Sequence, residues 1–228
     1  MVDFARQRLN MVESQVRPSD VTDRRVMTAM LHVARERFVP AELAPVAYAD
    51  RDLTVPLPAT EASDTGTVSR AILAPRVFGK LIQNLEIGDN DVVLDVGCAT
   101  GYSTAVLARI AQTVVGIEAD AAFVAYASKA LEAAGADNAV IVQAPLIDGY
   151  ASESPYDAIL INGLVGHIPD VLLDQLKDGG RLVAIEENGR FGAAVQWRRL
   201  RGAFDKRWLF DCSGPRLGAF DRKAEFVF

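Results

Sequence analysis

An α/β fold built on a mostly parallel sheet is what this sequence predicts, and three observations predict it. From Asp91 onward, apolar runs of strand length alternate with segments of helix length. The connections are short and the runs nearly unbroken, as strands buried on both faces require. The third observation is Val92-Val93-Leu94-Asp95-Val96-Gly97-Cys98-Ala99-Thr100-Gly101-Tyr102, an apolar run feeding a small-residue loop, with Glu118 twenty-one residues beyond Gly97. In doubly wound sheets such a loop, followed about 20 residues later by a carboxylate, holds the adenosine part of a cofactor.

The elements follow in order. Ser19 to Asp23 offer helix N-caps, and Val26, Met27, Met30, Leu31 and Ala34 recur at helical spacing, so the first forty residues read as helical. Pro45, Pro56 and Pro58 punctuate a loop-rich stretch that includes Glu61 to Gly66, after which residues 68–85 again read as helical. Val92–Val96 is a strand, 103–111 a helix, Thr113–Glu118 a strand, Ala121–Ala134 a helix closed by Gly135, and Ala139–Gln143 a strand. Residues 156–161 form the next strand. Pro169 then opens a helix carrying Val171, Leu172, Leu173 and Leu176, which Gly179-Gly180 ends before a strand at 181–185. Val195, Trp197, Leu200, Trp208 and Phe210 mark a closing hairpin, and Phe220, Phe226 and Phe228 make the tail apolar enough to need a partner surface. Residues 1–85 are expected to form a helical and loop-rich rim, and residues 86–228 the cofactor-binding core.

A formal charge of −6 with scattered basic residues gives neither the electrostatic footprint of nucleic-acid binding nor a polybasic membrane surface. Arg198, Arg199 and Arg201 are interleaved with Leu200 beside Trp197, as on a solvated strand face. The polar start Met1 to Arg8 is unlike a signal peptide, and no segment has the roughly 18 apolar residues of a membrane span, so a cytoplasmic protein is expected. Cys98 and Cys212 are two isolated thiols, and with only His32 and His167 as histidines no metal-ligand spacing exists.

In the loop, Gly97 and Gly101 let the backbone turn sharply and approach a ligand. Ala99 stands where a fuller pattern has glycine, and its methyl is expected to require a negative φ there. Glu118 is the acceptor pair for the two ribose hydroxyls. Asp95, a carboxylate beneath the loop, favours a cationic ligand over a pyrophosphate, and so S-adenosylmethionine over NAD. No Tyr/Lys pair of a hydride site follows.

Over almost its whole length the chain resembles the protein-L-isoaspartate O-methyltransferase family. MVESQV, DVTDRRVMTAMLHVARERFVP and VAYADRDLTVPLP resemble the family's entry helices and approach to the active site; VLDVGCATGYSTAVLARIA resembles its cofactor loop and VVGIEAD its ribose-binding strand end. YDAILINGLVGHIPDVLLDQLKDGGRLV is similar to its fourth strand, following helix and fifth strand. The resemblance implies a Rossmann-like, seven-stranded methyltransferase sheet with one antiparallel strand, S-adenosylmethionine as cofactor, and methylation of the α-carboxylate of L-isoaspartyl residues in damaged proteins. It implies cofactor contacts from Asp95, Gly97, Cys98, Ala99, Gly101, Tyr102, Glu118, Ala119, Pro145, Leu146 and Asn162. Thr67-Val68-Ser69 resembles the family's Thr-x-Ser, which would place Thr67 and Ser69 at the transferred methyl; Ser69 also reads as the N-cap of a helix over 70–82.

Three segments depart from the family pattern. Residues 59–66 are longer and more acidic than its GxGQ, with Glu61 and Asp64, and Arg70 and Ala71 stand where the family usually has polar and proline residues, Arg70 offering a charge that can recruit a carboxylate. Ala144-Pro145-Leu146 replaces a Gly-Asp-Gly whose aspartate accepts from the adenine amino group, leaving Asp148 as a substitute acceptor. Asn162 to Gly166 replaces a threonine and alanines. The alternative these departures carry is a methyltransferase fold that binds or regulates, or methylates another carboxylate.

Overall fold

The computed structural model describes residues 2–58 and 67–221. Helix α1 (Phe4–Met11) is capped by Asp3, whose carboxylate accepts from the Arg6 N–H at 3.0 Å, and it runs on through a π-helical turn at Val12–Val16. Helix α2 (Arg24–His32) is capped in the same way by Asp23, so the helical reading of the first forty residues holds.

The stretch expected to be helical at 68–85 is divided. Strand β1 (Leu53–Pro58) pairs antiparallel with β2 (Thr67–Ile72), and helix α3 (Pro75–Gln83) starts only with Pro75 at its first position. Ser69 is therefore a strand residue opposite Pro56 and caps no helix. Two forces place the boundary. Leu53, Val55 and Leu57 bury one face of β1, and its open edge needs a partner. Proline also holds the residue before it extended, as Ala74 is with φ −51° and ψ 137°, so the helix cannot begin earlier.

The core follows the sequence closely. It comprises β3 (Val92–Val96), α4 (Tyr102–Leu107, shorter than expected), β4 (Thr113–Glu118), α5 (Ala121–Ala134), β5 (Ala139–Gln143) and β6 (Tyr156–Val165). Asp120 caps α5 and Gly135, at φ 64°, closes it. Helix α6 (Asp170–Leu173) is a single turn with Pro169 before it, and Leu176 already belongs to β7 (Leu176–Asn188). The expected Gly179-Gly180 stop is a bulge inside β7: pairing with β6 jumps from Leu176 to Arg181, and a Cβ at Gly180 would lie 2.8 Å from the Lys177 carbonyl oxygen. Strands β8 (Phe191–Leu200) and β9 (Ala203–Cys212) form the closing hairpin.

The seven strands run in the order β5-β4-β3-β6-β7-β8-β9, parallel from β5 to β7, with β8 antiparallel to both neighbours. Alternate residues feed two cores. Val93, Leu160 and Val183 join the N-terminal helices on one face, while Leu94, Ile159 and Leu182 join Leu172, Leu217 and Phe220 on the other. Phe220 thus finds its surface within its own fold; Phe226 and Phe228 lie outside the described residues. Successive connections leave β3 in one direction and reach β6 in the other, so the carboxyl ends of β3, β4 and β6 frame a topological switch point. Among the described residues no helix is long and apolar enough to cross a membrane, and no group of three or more His, Cys, Asp or Glu is placed to hold a metal ion.

Candidate active site

The loop after β3 is tied to the end of β4 by two backbone bonds, Gly97 N–H and Cys98 N–H both donating to the Ile117 carbonyl at 3.0 and 3.2 Å. It turns through left-handed conformations at Gly97 (φ 72°), Ala99 (φ 50°) and Gly101 (φ 88°). The negative φ expected of Ala99 is corrected: its methyl is carried in the left-handed region, at about 1–2 kcal/mol. That geometry aims the Ala99 N–H at Oε2 of Glu118, 3.2 Å away.

Glu118 is fully buried at the end of β4. Its Oε1 accepts from the Ala119 N–H at 2.9 Å and from Nε of Arg70 at 3.0 Å. Asp95 is equally buried and lies one layer beneath the loop. Ser103 and Thr104 hydroxyls donate to its Oδ2 at 2.7 and 2.6 Å, and the Asn162 amide donates to its Oδ1. Burial nonetheless pushes its pKa up from 3.8 to about 6, with Glu118 adding to the shift. Asp95 therefore meets Ser103, Thr104 and Asn162 and is not among the residues that line the cavity described below.

The raised Asp95 pKa has a measurable consequence. The folded state holds this proton more tightly than the unfolded chain, so the stability linked to it is greatest at low pH and is lost as pH rises through about 6. Between pH 7 and pH 5 the parent is expected to gain about 1 kcal/mol over Asp95→Asn. Urea denaturation of both proteins at the two pH values checks this, and equal shifts would contradict it.

A cavity of about 460 Å³ opens above these groups, within the roughly 300–1,000 Å³ of small-molecule sites. Of the expected site residues, Ser69, Gly97, Ala119, Leu146 and Asn162 line it, together with Arg70. Cys98, Ala99, Gly101, Tyr102 and Glu118 are not among its lining residues. Burial raises the Cys98 thiol well above its usual range, and the Tyr102 ring packs edge-on to Phe38 and against Phe78. Pro145 and the exposed Asp148 are not among the lining residues. For Thr67 the structure gives the backbone, paired with Pro58.

Sequence reasoning missed two features. Residues 215–219 form one wall of the cavity: the Leu164 N–H donates to the Pro215 carbonyl at 2.7 Å, and the Leu217 N–H to the Leu164 carbonyl at 2.9 Å. Gly163 permits this approach, since a Cβ there would sit 2.6 Å from the Pro215 oxygen. The second is Arg35, fully buried, whose Nε donates to the Ala47 carbonyl at 2.7 Å and Nη2 to the Leu73 carbonyl at 2.9 Å. Its guanidinium lies 4.6 Å from the centre of the Tyr102 ring, bolting the N-terminal region to the β2–α3 junction and to α4.

A Cβ on Gly97 would meet Leu217 at 3.4 Å and Leu146 at 3.7 Å, so the loop has an apolar flank, and the buried Glu118 carboxylate is bonded to the same loop through the Ala99 N–H. A sheet with this strand order and a loop and carboxylate so placed define a Rossmann-like methyltransferase. The family profile described as "Protein-L-isoaspartate(D-aspartate) O-methyltransferase (PCMT)" matches residues 6–205, and the chain belongs to that family. Among its relatives, a protein-L-isoaspartate O-methyltransferase of Koribacter versatilis (strain Ellin345) is 33% identical over 212 residues, 93% of this chain and 90% of the relative. One of Methanoculleus marisnigri (strain ATCC 35101 / DSM 1498 / JR1) is 39% identical over 179 residues, 78% of this chain and 76% of the relative. A solved protein-L-isoaspartate O-methyltransferase superposes with a TM-score of 0.78 at 22% identity over 92% of this chain and 66% of its own. A putative one from Plasmodium falciparum, in complex with S-adenosyl-L-homocysteine, gives 0.71 at 20% identity over 94% of this chain and 98% of its own. Both structures share the fold.

Proposed function

We propose that this chain transfers a methyl group from S-adenosylmethionine to the free α-carboxylate of L-isoaspartyl residues in damaged proteins, the first step of their repair. Family membership supports the reaction and the cofactor. The observation that carries the reading at this site is one cavity lined both by Gly97 and Ala119 of the cofactor side and by Ser69 and Arg70 of β2. Donor and acceptor chemistry thus share a single space.

The cofactor, when bound, supplies an activated methyl on a sulfonium. The acceptor is already an anion at neutral pH, so the chain needs no general base, and among the described residues none that lines the cavity is a histidine, lysine or cysteine. Its task is alignment: Glu118 takes the ribose hydroxyls, Gly97 and Leu146 hold the nucleoside, and Ser69 donates to one carboxylate oxygen. Residues 1–85 act as the rim through the separate β1–β2 sheet, and residues 86–228 as the cofactor core. The free state of both Cys98 and Cys212 supports a cytoplasmic setting.

The test is methyl transfer from labelled cofactor to a peptide pair differing only in an isoaspartyl or aspartyl linkage. The isoaspartyl peptide is expected to take up label as a base-labile ester and its partner none, and Ser69→Ala to lower turnover while cofactor binding stays near the parent's. Cofactor binding with no transfer to either peptide would overturn the isoaspartyl reading and favour a different carboxylate.

Pro145 offers the adenine no side-chain acceptor. Restoring one with Pro145→Asp, paired with Ala144→Gly for backbone room, is expected to tighten S-adenosylhomocysteine binding about tenfold in calorimetry. An unchanged constant would mean that another group already serves the adenine.

A further inference from the structure

Arg70 competes for the atoms that the ribose needs. An ionised carboxylate offers about four lone-pair sites, two on each oxygen. On Glu118, Oε1 already takes two donors, the Ala119 N–H at 2.9 Å and Arg70 Nε at 3.0 Å, while Oε2 takes one, the Ala99 N–H at 3.2 Å. A ribose diol donates one hydrogen bond to each oxygen, so a donor on Oε1 has to leave. The Ala119 N–H belongs to the very next residue and is fixed by the chain. Arg70 is the movable one: its side chain is 28% exposed, it lines the cavity, and it is reached from a different sheet.

The guanidinium has a place to go. Its Nη1 donates to the Ser69 carbonyl at 3.0 Å, a tether that keeps it beside the residue assigned to the acceptor. Because Arg70 lines the cavity, a guanidinium freed of Glu118 can turn its Nε–H into it, where a carboxylate is the natural partner for its planar fork.

We propose that Arg70 is a latch between the two substrates: the ribose displaces it from Glu118, and its guanidinium then receives the acceptor carboxylate, so that cofactor binding creates the acceptor site. This rests on the reading of Glu118 as the ribose acceptor. It makes Arg70 a specificity-determining residue for the anion and imposes an order, cofactor first. The two affinities are coupled and, by linkage, the coupling is reciprocal.

Calorimetry with S-adenosylhomocysteine separates the two readings. Arg70→Met, and Arg70→Gln as a second variant on the same strand, are expected to bind it about tenfold more tightly than the parent because the competitor is gone. Isoaspartyl peptide is expected to bind the S-adenosylhomocysteine-loaded parent at least tenfold more tightly than the parent alone, and this enhancement to vanish in both variants. Weaker or unchanged S-adenosylhomocysteine binding in folded Arg70 variants, with Glu118→Ala still impaired, would overturn the latch and leave the ribose assignment standing. Unimpaired binding in Glu118→Ala would instead remove the ribose assignment itself.

Discussion

In a Glu118→Ala variant, affinity for S-adenosylhomocysteine is expected to fall tenfold or more, and in Glu118→Gln by less. Each hydrogen bond to a charged acceptor contributes about 1.5–3 kcal/mol, and the alanine removes both ribose bonds. It also frees the loop, because the Ala99 N–H loses the oxygen that fixes it. Glutamine keeps one oxygen and therefore part of the effect. Titration calorimetry on folded variants, matched by thermal melts, reads this directly; parent-like affinity in Glu118→Ala would show that the ribose lies elsewhere.

The largest stability effect is expected at Arg35. Arg35→Ala removes a fully buried side chain, leaves the Ala47 and Leu73 carbonyls without their donors, and strips the cation from the Tyr102 face. An unsatisfied buried polar group costs about 1–3 kcal/mol and the vacated volume adds more, so a loss of about 3–5 kcal/mol is expected. Arg35→Met refills much of the volume without the donors and should recover part of it. Urea denaturation measures both, and a loss under about 1 kcal/mol in Arg35→Ala would contradict the bolt.

How much of this was legible in the sequence depends on what decided each element. Thr113–Glu118, Ala121–Ala134 and Ala139–Gln143 have the bounds that periodicity and Gly135 predict, because their signals are local. The β2 strand was not legible: residues 68–85 carry enough apolar residues for a helix, and pairing with Leu53–Pro58 decides otherwise. Gly179-Gly180 reads the same whether it ends a helix or makes a bulge, and register with Tyr156 selects the bulge. At the site, the loop and Glu118 were legible as spacing. The wall at 215–219 was not, since it comes from the far end of the chain, and Arg35 looked like any surface arginine until the fold enclosed it. The positive φ of Ala99 follows the glycine position it occupies in the loop, where the backbone keeps the left-handed turn and the alanine bears its cost.

A crystal structure of the chain with S-adenosylhomocysteine tests the central claim most directly. The account predicts the ribose diol within hydrogen-bond distance of both Glu118 oxygens, the nucleoside against Gly97 and Leu146, and the sulfur on the side of the cavity shared with Ser69. A nucleoside bound outside this cavity, or within it but with Glu118 still held by Arg70 and out of reach of the ribose, would contradict it.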